Sequence, residues 1–147
     1  MGDGLFLFHV GGSRAYLYRG GRLRQLTHDH TVAQALADTG QIGAEAVASH
    51  RMRHVLTNVM GSQTGQLHVE MLQVRLLDGD RVLLCTDGLT EMVHEDEILE
   101  ILRGIEDSGQ ACRAVVDMAL QHGGKDSVTV LIARYYIPEH VDTGASW

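Results

Sequence analysis

Residues 81–90 have the sequence RVLLCTDGLT, and residues 123–134 have the sequence GGKDSVTVLIAR. Each stretch contains a short run that is apolar on both faces of a strand, a pattern typical of central strands in a sheet. Asp87 lies at the end of the first run, and Asp126 lies at the start of the second. The two stretches therefore predict buried strands, each with an aspartate at one end.

The rest of the chain predicts an antiparallel sheet with helices. Further strand-like runs occupy residues 5–10, 13–19, 22–27 and 67–74. Paired glycines separate the first three runs, which is a hairpin signal. Apolar residues at helical spacing occupy residues 95–105 and 108–121, and short helices broken at Gly40 and Gly43 are expected within residues 31–58. The expected fold class is α+β, with a largely antiparallel sheet and helices on one face.

Composition limits the class of protein. The 147 residues fit one domain, and 44% apolar with 21% charged residues excludes a mostly disordered chain. A net charge of -7 and 5% aromatic residues argue against a nucleic-acid partner. No signal peptide and no apolar stretch of about 20 residues is present, so a soluble, cytoplasmic protein without membrane contact is expected. Cys85 and Cys112 lie in apolar runs and predict buried free thiols.

The two aspartates are the first candidates for chemistry. Carboxylate oxygens at the ends of buried strands suit hard divalent cations such as Mg²⁺ or Mn²⁺. Ordinary turn chemistry is the other interpretation, because Asp-Gly and Lys-Asp-Ser are common turn sequences. From spacing alone, both interpretations stay open for Asp87 and Asp126.

Other candidate residues carry weaker signals. His50 and His54 have the i,i+4 spacing of a zinc pair on a helix, and His28 and His30 flank Asp29, but no further ligand completes a zinc site. These histidines are therefore expected on the surface or in the segment with the short helices. Ser13 and Ser62 lack the sequence around a hydrolase nucleophile. The pairs Phe6/Phe8 and Tyr16/Tyr18 have strand periodicity, which predicts packing within a sheet.

Four motifs together resemble one family. They are FHVGGSRAYLYRGGRLRQLTHDH (8–30), VLTNVMG (55–61), LLDGDRVLLCTDGLTEMV (76–93) and GGKDSVTVLIAR (123–134). The sequence from Leu5 to Arg134 resembles the second part of the metal-dependent PPM-type (type 2C) protein serine/threonine phosphatases, with the bacterial branch most similar. The resemblance implies two antiparallel sheets packed face to face with helices outside, a partial αββα sandwich. It also implies a two-metal centre at one end, which hydrolyses phosphoserine and phosphothreonine.

The resemblance assigns roles to individual residues. Asp87 matches the metal ligand of the S/T-D-G motif, and Asp126 matches the aspartate of the G-x-D-N motif. Gly88, Ser127 and Gly12 then lie near the site. Residues 29–62 match the flap that covers the site, within a single domain spanning residues 1–134, and residues 135–147 form a C-terminal tail.

Three departures from the family pattern limit what is expected. The N-terminal motif with the aspartate that bridges both metals is absent from the sequence, Gly12 replaces the aspartate of V-G-D-S-R, and Ser127 replaces an asparagine. Asp87 and Asp126 alone predict one weak Mn²⁺ or Mg²⁺ site per chain. The expected function is that of a truncated phosphatase domain acting on phosphoproteins. The alternative is a non-catalytic pseudophosphatase, or a fragment, that binds a partner protein. Because strands of the family's sandwich are missing, a homo-oligomer is expected.

Overall fold

The computed structural model describes residues 3–61, 63 and 65–138. The strands are β1 (Gly4–His9), β2 (Arg14–Arg19), β3 (Arg22–Gln25), β4 (Glu70–Arg75), β5 (Arg81–Cys85) and β6 (Val130–Arg134). The helices are α1 (Val32–Asp38), a 3₁₀ helix (Ala44–Ser49), α2 (Asp87–Thr90), α3 (Glu95–Gly104) and α4 (Ser108–Gln121).

The strands form two antiparallel sheets, as expected. β1 pairs with β4 in a two-stranded sheet, and β3-β2-β5-β6 form a four-stranded sheet. β2 and β5 lie in the middle of the larger sheet, and β5 pairs with β6 in the register Cys85↔Val130. The prediction of an α+β fold with antiparallel sheets is confirmed, and the apolar run of residues 82–85 is a central strand.

Helices α2, α3 and α4 cover one face of the four-stranded sheet. The sheet and the helices both contribute side chains to the main hydrophobic core. Its buried members are Tyr16, Leu83, Cys85, Leu89, Val93, Ile98, Leu102, Ala111, Val115 and Ala119. The N–H groups that begin α4 are capped by the Asp107 carboxylate, which accepts from the Gln110 N–H at 2.8 Å. The buried Arg81 guanidinium donates to the carbonyl groups of Leu102 and Ile105 where α3 ends. Side chains from a strand and from loops therefore fix the ends of the covering helices.

A second, smaller cluster lies between the two sheets. Its buried members are Leu17, Leu76 and Val82. The first residue of the predicted tail, Tyr135, packs against this cluster, and its N–H donates to the Asp80 carbonyl at 2.8 Å. Residues 139–147 of that tail lie outside the described residues.

Two predicted strands begin later than the sequence pattern indicated. The strand expected at 67–74 starts at Glu70, and Leu67 and Val69 are exposed. The strand expected at 127–134 starts at Val130, because the Thr129 N–H donates to the Thr86 hydroxyl at 3.0 Å instead of to a strand carbonyl. The four-residue helix α2 was not predicted.

The prediction that Phe6 and Phe8 pack within a sheet is wrong. Both lie on the outer face of the two-stranded sheet, and Phe8 is 68% exposed. Tyr16 is fully buried and Tyr18 packs against the main core, as expected. Strand alternation places a pair of side chains on one face, but it does not say what covers that face.

The predicted helical insert is present. α1 and the 3₁₀ helix occupy its first half, and the chain turns between them at Gly40, whose φ of +75° favours glycine. Its two ends meet where the Val32 N–H donates to the Val55 carbonyl at 2.8 Å. Ser62, at the end of the predicted flap, lies outside the described residues. No helix in the described part of the chain is long and apolar enough to cross a membrane.

Candidate metal and phosphate site

The loops that carry Asp87 and Asp126 leave the same end of the four-stranded sheet. Asp87 follows β5 by two residues, and Asp126 precedes β6, which is the neighbouring antiparallel strand. The Thr86 N–H donates to the Thr129 carbonyl at 3.1 Å, which extends the pairing of the two strands towards this end. Asp126 thus lies four residues ahead of its strand, and not at the strand start as the sequence pattern indicated.

Gly88 brings the two loops into contact. A Cβ atom at Gly88 would lie 2.2 Å from the Ser127 carbonyl oxygen, so only glycine fits there. Asp87 is half-buried, whereas Asp126 is exposed and accepts from the Ser127 N–H at 2.7 Å. The close approach explains the Asp-Gly sequence sterically. That the two carboxylates share one cation stays a prediction.

The loop after β1 approaches the same place. A Cβ atom at Gly12 would lie 3.7 Å from Oδ2 of Asp87 and 3.2 Å from Cδ2 of Leu56. A side chain at position 12 would therefore begin beside the Asp87 carboxylate. This position is where the resembling family has an aspartate.

Arg14 and Asp29 form a bidentate ion pair behind this loop. The Arg14 Nε donates to Oδ1 of Asp29 at 2.9 Å and its Nη2 donates to Oδ2 at 2.6 Å. Nη1 donates to the hydroxyl of Tyr16, which donates in turn to Glu95 at 3.1 Å. Burial alone would lower the pKa of the Arg14 guanidinium, but the bond to Asp29 raises that pKa above its ordinary value. Arg14 is therefore charged, and three of its five N–H groups are hydrogen-bonded.

A cavity of about 590 Å³ opens between the flap and the sheet end. Its flap wall includes Val47, His54 and Leu56, and its opposite wall includes Asp87 and Glu91. His54 Nδ1 lies 2.6 Å from Oε1 of Glu91, so the flap contacts the segment just after α2. The cavity lies beside Asp87, and we call it the flap cavity.

A cluster of histidines lies at the base of the flap and was not predicted. His9, His30 and Glu70 have potential ligand atoms that all lie within 4.8 Å of one another. They are the one such group of three in the part of the chain that the structure describes. His30 was expected as a surface or flap histidine, yet its side chain is mostly buried. His50 and His54 belong to no such group among the described residues.

Comparison with known proteins decides the family. The family described as "Stage II sporulation protein E (SpoIIE)" matches residues 53–136, more than half of the chain. This chain belongs to the SpoIIE/PP2C-type family. The chain is similar to the serine/threonine protein phosphatase PstP of Mycobacterium tuberculosis, with 39% identity over 132 residues, which cover 90% of this chain. The resemblance to PPM-type phosphatases that the motifs indicated is confirmed.

Solved structures agree with this membership. The crystal structure of the M. tuberculosis phosphatase PstP/Ppp matches with a TM-score of 0.86 and 36% identity over 92% of this chain. The PstP catalytic domain in complex with two manganese ions matches with a TM-score of 0.81, 34% identity and 93% coverage. This SpoIIE/PP2C-type chain spans 25% of the curated PstP sequence and 57% and 56% of the two crystallised chains.

Proposed function

We propose that this chain carries a metal-binding part of a PPM-type protein serine/threonine phosphatase, which hydrolyses phosphoserine and phosphothreonine in proteins. The single observation that carries the proposal is the contact of Gly88 with the Ser127 backbone. It brings the Asp87 and Asp126 loops together at the sheet end, beside Gly12 and the flap cavity. Relatives and structural neighbours that are serine/threonine phosphatases support it.

The donor set fits a hard divalent cation. Asp87 and Asp126 offer carboxylate oxygens, which suit Mn²⁺ and Mg²⁺. Neither residue belongs to a group of three potential ligands among the described residues. Two carboxylates therefore support one weak site per chain, completed by water. When bound, a cation of this kind polarises a phosphoryl oxygen and lowers the pKa of a bound water.

The chain's own residues position the substrate. The flap cavity, with His54 and Leu56 on its flap wall and Asp87 on the opposite wall, has room for the phosphorylated residue and its neighbours. Arg14 lines the cavity, and Asp29 and Tyr16 hold three of its five N–H groups. Asp29 thus fixes the orientation of a half-buried guanidinium. The proposal leaves phosphate binding to the metal site and to the cavity.

The experiment measures metal binding before activity. Titration calorimetry with Mn²⁺ should show weak binding, with a dissociation constant on the order of 0.1–1 mM, as for sparsely coordinated oxygen sites. Asp87→Asn should weaken binding at least about tenfold, because it removes the half-buried carboxylate. Asp117→Asn, an equal charge change on the exposed face of α4, is the control and should bind as the wild type does.

A gain-of-function variant and an activity assay complete the test. Gly12→Asp should tighten Mn²⁺ binding, since the new side chain begins beside Asp87 and displaces only the flexible end of Leu56. Manganese-dependent hydrolysis of an aryl phosphate and of a phosphothreonine peptide should disappear in Asp87→Asn. Activity that survives Asp87→Asn would refute the proposed site. Absence of Mn²⁺ binding by the wild type would favour the non-catalytic, partner-binding alternative.

Self-association is the second part of the proposal. Phe6, Phe8 and Met71 are exposed on the outer face of the two-stranded sheet. Leu84 and Leu131 are exposed on the inner face of the larger sheet. Apolar faces and unpaired strand edges favour association between chains. We therefore expect a homo-oligomer in solution.

A further inference from the structure

The Glu70 carboxylate lies between the buried His9 and the mostly buried His30. Its Oε2 is 2.8 Å from Nδ1 of His9 and 3.8 Å from Nε2 of His30. The two imidazole rings contact each other with their centroids 4.8 Å apart and their planes tilted by 41°. The backbone N–H of His28 also donates to both oxygens of Glu70, at 3.1 Å each. Glu70, at the start of β4, is therefore an acceptor shared by β1 and the base of the flap.

The partners of each nitrogen determine where the protons lie. His30 Nδ1 accepts from the Gly11 N–H at 3.1 Å and faces the Asn58 amide nitrogen at 3.2 Å. The Asn58 amide is oriented by the His68 backbone, to which it donates and from which it accepts. A nitrogen that accepts carries no proton, so neutral His30 is protonated at Nε2, on the side of Glu70. His9 donates from Nδ1 to Glu70, because a carboxylate can only accept.

This proton arrangement opposes metal binding at the cluster. A metal bound by His30 Nε2 would move the proton to Nδ1. The Nδ1–H would then face the Gly11 N–H, so two hydrogen-bond donors would oppose each other. A metal bound by His9 Nδ1 would move the proton to Nε2, which is buried and has no hydrogen-bond partner. Metal-binding histidines instead donate their second N–H to an acceptor. The cluster has the spacing of a metal site but the wrong surroundings.

His30 also holds the loop that faces Asp87. Its backbone N–H donates to the Gly11 carbonyl at 3.0 Å, while its ring accepts from the Gly11 N–H, so both polar groups of Gly11 bind one residue. Its carbonyl accepts from the Thr57 N–H at 2.9 Å, which joins the returning end of the flap. Gly12, the next residue of the loop, lies beside the Asp87 carboxylate.

We propose that His30 is a positioning residue: as the Nε2–H tautomer, held by Glu70 and His9, it clamps the Gly11–Gly12 turn and the flap base next to Asp87. The clamp itself follows from the hydrogen bonds, and its role in metal binding rests on the proposed function of the Asp87 site. A second proton on His30 would occupy Nδ1 and break the bond from Gly11. The clamp should therefore open in mild acid.

The charged surroundings agree with a neutral His30. Burial lowers the pKa of His30, and the neighbouring His9 lowers it further. Glu70 and Asp29 act in the opposite direction, and His28 adds a small lowering contribution. These four groups, from β1, β4 and the segment of His30 itself, are the titratable neighbours that act on the ring. The net lowering of the pKa favours the neutral ring, and the hydrogen bond from Gly11 decides which nitrogen of that ring carries the proton.

The first test reads the tautomer and the bond in the wild-type chain. ¹⁵N NMR at pH 7.5 should show His30 protonated at Nε2 and unprotonated at Nδ1. Hydrogen exchange at Gly11 should be slow, and His30→Leu should reduce its protection about tenfold, the value of one hydrogen bond. His30→Asn, whose carbonyl stands where Nδ1 does, should retain most of that protection. His28→Asn alters an exposed ring that contacts Asp38 and is the matched control.

The second test connects the clamp to Asp87. The affinity for Mn²⁺ should fall several-fold in His30→Leu and stay near the wild-type value in His30→Asn and His28→Asn. If the wild type binds no Mn²⁺, the proposed function fails, while the tautomer and the Gly11 exchange still decide the clamp. His30 protonated at Nδ1, or unchanged Gly11 protection in His30→Leu, would overturn the inference. Zn²⁺ binding that shifts both nitrogen signals of His9 and His30 would show a metal site instead.

Discussion

The two faces of the four-stranded sheet differ in how completely they are covered. Towards the helices, β5 contributes Leu83, which is 1% exposed, to a continuous core. Towards the two-stranded sheet, the next residue, Leu84, is 37% exposed, and Leu131 on β6 is 52% exposed. A cavity of about 380 Å³ lies on that side and is bordered by Leu7, Leu84 and Leu131. Strand β5 therefore has a closely packed core on one face and a partly exposed apolar layer on the other.

Burial on the face towards the helices stabilises this fold, while the face towards the two-stranded sheet stays available for contacts. The apolar sequence of β5 is the same type on both faces, so the residues themselves do not distinguish them. Coverage by α3 and α4 on one side and by only two strands on the other makes the distinction. Four measurements test this difference between the two faces of the sheet.

The largest effect is expected from adjacent leucines on β5. Leu83→Ala should lower the free energy of unfolding by about 2–5 kcal/mol, because it leaves a cavity in a packed core. Leu84→Ala should cost less than about 1 kcal/mol, since its side chain already meets open space. Urea unfolding of both variants, followed by circular dichroism, measures the two costs. Similar costs for the two leucines would remove the distinction between the faces.

The next effect concerns the reactivity of the two cysteines, both of which are free, as predicted. Cys85 is buried in the main core, and burial raises the pKa of its thiol to about 12. Cys112 on α4 is only half-buried, which corrects the expectation that both thiols are buried. At pH 8, a disulfide reagent should label Cys85 at least about a hundredfold more slowly than Cys112, because only the thiolate reacts.

The cysteine labelling has an internal control. In urea both thiols become exposed, and their labelling rates should then be similar. Cys112→Ser should leave one slow site in the native protein. Fast labelling of Cys85 in the native state would show that the helix-covered core opens readily, which would weaken the contrast between the two faces.

Acid should loosen the open side before the covered side. The pKa of His30 is below its ordinary value of 6.5 in the folded chain, because of burial and His9. The unfolded chain therefore binds more protons as the pH falls below 6.5, and stability decreases from that pH downward. Hydrogen exchange at pH 7.5 and 5.5 should show protection lost in β1 and β4 while β5 stays protected. Equal loss in all three strands would contradict regional loosening.

The smallest effect is expected in self-association. The wild type should sediment with an average mass above the 16.1 kDa of one chain at micromolar concentration. Phe8→Ser should lower that mass, because it removes an exposed ring from the two-stranded sheet. Leu120→Ser, which changes an exposed leucine on α4, should not. A monomer of 16.1 kDa for the wild type would show that the open side does not drive association.

The local sequence pattern predicted the bounds of a helix or strand accurately where signals within that segment determine them. The helices expected at 95–105 and 108–121 are α3 and α4 within one residue, because their apolar spacing and polar caps agree. The strand at 127–134 was predicted too long, because the Thr86 hydroxyl takes the Thr129 N–H. Hydrophobic periodicity does not reveal a hydrogen bond to a side chain that follows another strand.

The candidate sites show the same difference between local signals and contacts that are distant in the chain. Asp87 and Asp126 could be proposed from strand ends and family motifs, although nothing in spacing alone joined them. Their loops meet because Gly88 packs on the Ser127 carbonyl, a contact between residues 39 positions apart. The cluster of His9, His30 and Glu70 was missed, because Glu70 has the position of an ordinary strand residue 61 positions from His9. No local signal connects such residues.

The sequence by itself determined the α+β class, the antiparallel strands, the helices and the family, because periodicity, glycine turns and short motifs are local properties. The tertiary structure alone decided which face of each strand is covered, which loops meet at Asp87 and which nitrogen of His30 carries the proton. Those features depend on pairs of residues distant in the chain. Close packing and hydrogen-bond geometry fix such pairs only when the sheets, helices and flap have come together.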